Sequence, residues 1–241
     1  MQQCFKGKTV LVTGAGWGIG AATALLYATH GAKVIVSDTS RKGGKDTVAK
    51  IKSHHGNATY IKTDVSSAAA CEKLIKRTLE ISGCIDIACN NSAVFSEAFY
   101  PGDKDIVFDN EVALNLNGLH NCMRFEIEAM QKQGGGIIIN TSTIVGAMGL
   151  TPLNRYVNEK YGMGALPLNL SGKNSSVHIS TIAPAFINTA LLKDMVQKEP
   201  GAGIKFFSMG RHGTIQEVAG LILWLSSDER YLLPAVYNDD N

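Results

Sequence analysis

Residues 8–13 (KTVLVT) form a β-branched, apolar run that passes directly into Thr13-Gly14-Ala15-Gly16-Trp17-Gly18-Ile19-Gly20. A strand that meets closely spaced glycines and then a helical stretch has few ways to fold. Glycine lets the backbone turn sharply and approach another group with no Cβ in the way. A helix that starts at residue 18 points its free N–H groups and positive dipole end back at the turn. Together these features make a cradle for the phosphates of a dinucleotide. A Gly-rich turn alone is equally an ordinary tight turn. The strand before it, the helix after it and an acid closing the second strand sharpen the reading.

That acid is Asp38. A carboxylate there can accept hydrogen bonds from both hydroxyls of an adenosine ribose and repel a 2′-phosphate, so NAD is expected over NADP. Position 17 is Trp, so no cation stands in the turn to receive that phosphate. Arg41 and Lys42 lie nearby and could soften the preference, or simply face solvent.

The rest of the chain alternates in the same way. Strands are expected over residues 8–13, 33–37, 58–62, 85–89, 136–141 and 177–182, with a short seventh near 235–237. Helices are expected over 18–30, 42–54, 68–81, 108–131, 156–166 and 216–225. Brief Val/Ile-rich strands separated by helical lengths define an α/β fold with a parallel sheet and crossover helices. No linker or repeat divides the 241 residues, so one domain over 1–241 is expected. Pro167 falls where the helix from Tyr156 should continue, so that helix should end early or kink.

Composition excludes several classes. A formal charge of +2 with no long basic block argues against nucleic acid or an anionic membrane as partner. No apolar run approaches the roughly 18 residues of a membrane span, and residues 1–8 lack the apolar stretch of a secretory signal. Five cysteines without a CxxC pair are read as reduced thiols, and the expected location is the cytoplasm. The six histidines have no metal-ligand spacing, and no metal is expected.

Tyr156 and Lys160 stand at i and i+4, on one face of a helix. Such a pair alone is as readily a surface pair. Joined to the glycine turn it makes the chain resemble the short-chain dehydrogenase/reductase family, from Gly7 to the final Asp240-Asn241. The cofactor turn is matched by Gly14, Gly18, Ile19 and Gly20 within Thr13–Gly20, and the adenine contact by Asp64-Val65. Asn90-Asn91-Ser92-Ala93 resembles the family's Asn-Asn-Ala-Gly, and Asn115 sits in a context like that of its active-site Asn. Tyr156 and Lys160 resemble the catalytic pair, and the segment from Pro184 through Ile187 to Thr189 resembles the one that meets the nicotinamide. The resemblance implies a Rossmann-like doubly wound parallel sheet of about seven strands, with helices on both faces.

It also implies a reaction: hydride transfer between NAD(H) and a secondary alcohol or ketone. A Tyr hydroxyl acts as general acid and base only if its pKa is drawn towards working pH, and a neighbouring Lys⁺ does this by favouring the phenolate. Lys160 is also expected to hold the nicotinamide ribose, and Asn115 to anchor a water in a proton relay. The hydroxyl that steadies the substrate oxygen is Ser in the family; counted back from Tyr156 and from Gly146, that position is Thr143. Ser142 is out of register, because neighbours on a strand face opposite ways. Ala93, Ala185, Pro234 and Asn241 stand where the family usually has Gly, and Ser180 where it has Asn. With Thr143, these departures motivate an alternative: an NAD-binding protein of the same fold with little or no turnover.

The resemblance further implies a homodimer or homotetramer, built on helices 108–131 and 156–166. Phe95, Met148, Phe186 and the apolar residues of 191–207 could line a pocket for a hydrophobic substrate, though each is as readily a core residue.

Overall fold

The computed structural model describes residues 3–93, 113–142, 176–184, 187, 189 and 210–228. Six strands occur among them: β1 (Thr9–Thr13), β2 (Lys33–Asp38), β3 (Asn57–Lys62), β4 (Ile87–Asn90), β5 (Gly136–Thr141) and β6 (Val177–Ile182). All pair in parallel, in the order β3-β2-β1-β4-β5-β6. The chain winds outward from β1 to β3, then returns across to β4 and winds the other way. This is the doubly wound sheet, and its direction reverses between β1 and β4. In folds of this kind, ligands bind outside the C-terminal ends of the strands at that reversal point. The expected seventh strand, near 235–237, lies outside the described residues, as does the helix expected over 156–166 with the break at Pro167.

Helices α1 (Gly18–Thr29), α2 (Arg41–Ser53), α3 (Ala68–Ser82), α4 (Gly118–Gln133) and α5 (Ile215–Leu225) cover both faces. Every residue of β1 is buried. Successive side chains explain why. Val10 and Val12 join Tyr27 of α1, Ile51 of α2 and Ile222 of α5 in one core, while Leu11 joins Leu74 of α3 and Met123 and Met130 of α4 in the other. A strand covered on both sides reads as a continuous apolar run, as KTVLVT does.

Local signals set the helix ends. Ser40 caps α2 through Gly43 N–H, and Ser67 caps α3 through Ala70 N–H. Thr214 and Glu217 form a reciprocal capping box at α5, and arrangements of this kind stabilise a helix by about 1 kcal/mol. α1, like α4, has no side-chain cap: Trp17 precedes it, and no acid stands in its first turn.

Most element ends fall within one or two residues of expectation, and two differences bear on the site. The fourth strand begins at Ile87 rather than residue 85, because Gln133 holds the Ile85 backbone instead. Its side chain accepts from Ile85 N–H at 3.1 Å and donates to Ile85 C=O at 2.7 Å. The long helix expected from residue 108 is described from 113 onward, and there it opens with a π-helical turn, Ala113–Asn117, before becoming α-helical at Gly118. Among the described residues no helix is long and apolar enough to cross a membrane.

Candidate functional site

The site is built from three chain reversals. The first is the glycine turn after β1. Gly20 lets α1 sit close to the turn, since a Cβ there would collide with the carbonyl oxygen of Gly14. Gly16 serves the neighbouring strand: its N–H donates to Asp38 Oδ2 at 2.8 Å, and a Cβ would lie 2.8 Å from the same oxygen. Ser40 N–H donates to Asp38 Oδ1, also at 2.8 Å. Asp38 is thus fixed at the end of β2, beside the turn, and is only 7% exposed. Each carboxylate oxygen has a further lone-pair site for a ligand hydroxyl. Trp17 is 63% exposed, and its ring borders Gly43 at the start of α2. Lys42 pairs with Asp46 at 2.7 Å along the outer side of α2, which directs its ammonium to a partner of its own.

The second reversal follows β4. Thr13 Oγ1 accepts from Asn91 N–H at 3.2 Å and Ser92 N–H at 3.3 Å, and Asn91 Nδ2 donates to Gly14 C=O at 3.3 Å. The ends of β1 and β4 are therefore tied together at the reversal point. Asn90 is buried just beneath, where its Nδ2 donates to Glu126 Oε2 at 2.8 Å and Asn140 Oδ1 at 3.2 Å.

The third reversal follows β3. Asp64 is exposed and accepts from Ser66 N–H and Oγ–H, which sets the turn into α3. Val65 is buried beside Cys71 and Cys122. Asn121 of α4 donates to Val65 C=O at 3.1 Å. A small cavity of about 10 Å³ lies among Thr13, Val65, Asn90 and Gly118.

Asn115 is buried within the π-helical turn, a form that breaks helix regularity and is frequent at functional sites. Ile187 is buried and forms an isolated parallel bridge with Gly213, while Thr189 N–H donates to Ile187 C=O at 2.7 Å. Ser142 is buried after β5, its N–H donating to Ile182 C=O at 2.8 Å. Thr143, Tyr156 and Lys160 lie outside the described residues, as do Phe95, Met148 and Phe186. The structure thus gathers Gly14, Gly16, Trp17, Gly18, Ile19, Gly20, Asp38, Asp64, Val65 and Asn90 along the C-terminal edge of the sheet.

Sequence reading missed Glu126. It is fully buried on α4, against Asn90. Burial pushes its carboxyl up to about 7, and the hydrogen bond from Asn90 pulls the other way. A signal was present: residues 119, 123, 126 and 130 share one helical face, and the other three are Leu, Met and Met.

These residues fit a dinucleotide. An uncapped helix N-terminus leaves N–H donors and a positive dipole end for an anion. The glycines keep the cradle clear of side chains, and Asp38 stands at the ribose position of the second strand.

Comparison with known proteins agrees. The family model described as short chain dehydrogenase matches residues 8–200. A cyclohexanol dehydrogenase of an Acinetobacter species is 30% identical over 95% of this chain and 91% of its own. A 3-oxoacyl-[acyl-carrier-protein] reductase of Thermotoga maritima is 30% identical over 93% and 92%. The solved structure of a levodione reductase superposes with a TM-score of 0.86 at 28% identity, over 96% of this chain and 95% of that one. The chain belongs to the short-chain dehydrogenase family and is an oxidoreductase. The family acts on small molecules with a nicotinamide cofactor.

Proposed function

We propose that this protein is an NAD(H)-dependent dehydrogenase or ketoreductase acting on a secondary alcohol or ketone, with residues 1–241 forming one catalytic domain. The observation that carries the cofactor assignment is the Asp38 carboxylate, held by the Gly16 and Ser40 amides at the end of β2. A buried anion there favours two ribose hydroxyls and disfavours a 2′-phosphate. The names of two similar proteins, a cyclohexanol dehydrogenase and a levodione reductase, support an alcohol or ketone substrate.

A bound nicotinamide would supply the hydride chemistry. The open end of α1 and the glycine cradle hold the diphosphate, and Asp38 holds the adenosine ribose. Asp64-Val65 borders the adenine, and Asn90, Ile187 and Thr189 border the nicotinamide side. On the family resemblance, Tyr156 gives the proton in reduction and takes it in oxidation. Lys160 lowers the pKa of that phenol and binds the nicotinamide ribose. Thr143 donates to the substrate oxygen as charge develops on it. Asn115 holds the relay water.

Thr143, Ala93 and Ala185 in place of the family's Ser and Gly residues favour a second reading, a cofactor-binding protein with little turnover. Purified protein incubated with NAD⁺ and a panel of cyclic and open-chain secondary alcohols separates the two. Appearance of NADH absorbance supports the dehydrogenase. Tight NADH binding without turnover on any alcohol or ketone supports the second reading, and preference for NADPH overturns the cofactor assignment.

A further inference from the structure

Glu126 has no part in the chemistry above, yet it occupies the most costly position an acid can take. It is fully buried, and one oxygen, Oε2, accepts from Asn90 Nδ2 at 2.8 Å. The other, Oε1, has no hydrogen-bond partner among the described residues. Asn90 has the complementary defect: both Nδ2 hydrogens are used, by Glu126 and Asn140, while its Oδ1 is buried and unpartnered. Two side chains that already share one hydrogen bond therefore each carry a buried acceptor, with no donor for either among the described residues. Leaving such a group unpaired costs about 1–3 kcal/mol, and more for a charge.

A proton on Glu126 Oε1 would turn that acceptor into a donor, and the side chain already bonded to Glu126 carries an unpartnered acceptor, Asn90 Oδ1. We propose that Glu126 is a positioning residue whose carboxylic acid proton is shared with Asn90, closing an amide–acid pair that holds the end of β4 beneath the cofactor cradle.

The surroundings favour the neutral acid. Cys89 of β4 and Cys122 of α4 stand near it as thiols whose ionisation burial and Glu126 itself oppose, and Cys71 of α3 lies against Cys122 at 3.8 Å, so none of them offers a cation to a carboxylate. Charged groups of the same helices pair at the surface, Glu72 with Lys76 and Glu128 with Lys132. On β6, His178 is exposed. Among the described residues no cation pairs with Glu126, whose carboxyl is shifted by burial and the Asn90 bond alone. Because the carboxyl is raised from 4.5 to about 7 on folding, the proton stabilises the fold fully below the lower value, and that contribution is lost as pH rises to the higher one.

The consequence reaches the site through the chain. Asn90 leads into Asn91 and Ser92, which bind Thr13 and Gly14 at the cradle. The link from proton to cofactor affinity rests on the NAD(H) reading above; the proton itself does not.

Glu126→Gln provides the test. Its amide places an acceptor oxygen and an N–H donor in the pattern of the protonated acid, with one N–H more, and it cannot ionise. Infrared difference spectra of wild type against E126Q near pH 6 should show a protonated carboxylic acid. The wild-type melting temperature should fall relative to E126Q between about pH 5 and pH 7 and then level. The wild-type NADH dissociation constant should rise by about three- to tenfold as pH passes 7, and that of E126Q by less than about twofold. An ionised Glu126 near pH 6, or parallel melting curves, overturns the shared proton. Identical pH dependence of NADH binding in both proteins overturns the positioning role. Failure of the wild type to bind NADH at any pH overturns the cofactor reading, and the infrared and melting results still decide the proton. Should E126Q not fold, the wild-type infrared titration decides it: loss of one carboxylic acid band near pH 7 supports the assignment, and its absence overturns it.

Discussion

The Gly16 amide donates to Asp38 Oδ2 at 2.8 Å, so the turn after β1 and the end of β2 are one hydrogen-bonded unit. The residue proposed to choose the cofactor thus also shapes the cradle that binds it. This coupling makes substitutions at the two strand ends interdependent.

Asp38→Ser removes the anion that faces the ribose. The gap between NADH and NADPH dissociation constants should narrow, chiefly through better NADPH binding. The Gly16 and Ser40 amides also lose charged acceptors, and bonds of that kind contribute about 1.5–3 kcal/mol each, so melting temperature should drop as well. Fluorescence titration of both cofactors checks the first point. Tighter NADPH than NADH binding by the unmodified protein contradicts it.

Gly20→Ala forces a methyl against the Gly14 carbonyl, which is backbone and cannot rotate away. Overpacking of this sort costs about 1–3 kcal/mol, and in a chain of this size each kcal/mol lowers the melting temperature by roughly 2–4 °C. NADH affinity should fall with it, because α1 must move off the cradle. Unchanged melting and unchanged binding would mean that the close approach is absent in solution.

Tyr156→Phe keeps the ring and deletes the hydroxyl. Turnover should fall by about two to four orders of magnitude, with NADH affinity nearly unchanged. Lys160→Ala should damage both, since its ammonium serves phenol and ribose. Thr143→Ala should reduce turnover alone, and Ser142→Ala should be mild. Steady-state kinetics with NADH titration of the four variants checks the set, and normal turnover in Tyr156→Phe refutes the assignment.

Light scattering at micromolar concentration should show a dimer or tetramer, as the family resemblance implies for the helices expected over 108–131 and 156–166. A two-fold contact is the commonest route to such assemblies. A monomer alone contradicts it.

Much of this was legible in one dimension. KTVLVT, KVIVS and GIIINT announce buried parallel strands because a strand covered on both faces must be apolar throughout. The glycine turn and Asp38 could be paired from spacing alone, since a strand–turn–helix–strand unit brings the ends of adjacent parallel strands together. Local chemistry decided these features, and local chemistry is what sequence displays. Tertiary structure decided the rest. Gln133 trimmed the start of β4 by bonding the Ile85 backbone from a distant helix end. The π-helical turn around Asn115 left no trace in periodicity. The helical spacing of Glu126 with Leu119, Met123 and Met130 marks it as an acid on an apolar face, but only the packing of α4 on the sheet makes Asn90 its partner and excludes water. A charge is cheap or costly according to what surrounds it, and the surroundings are assembled from residues far apart in the chain.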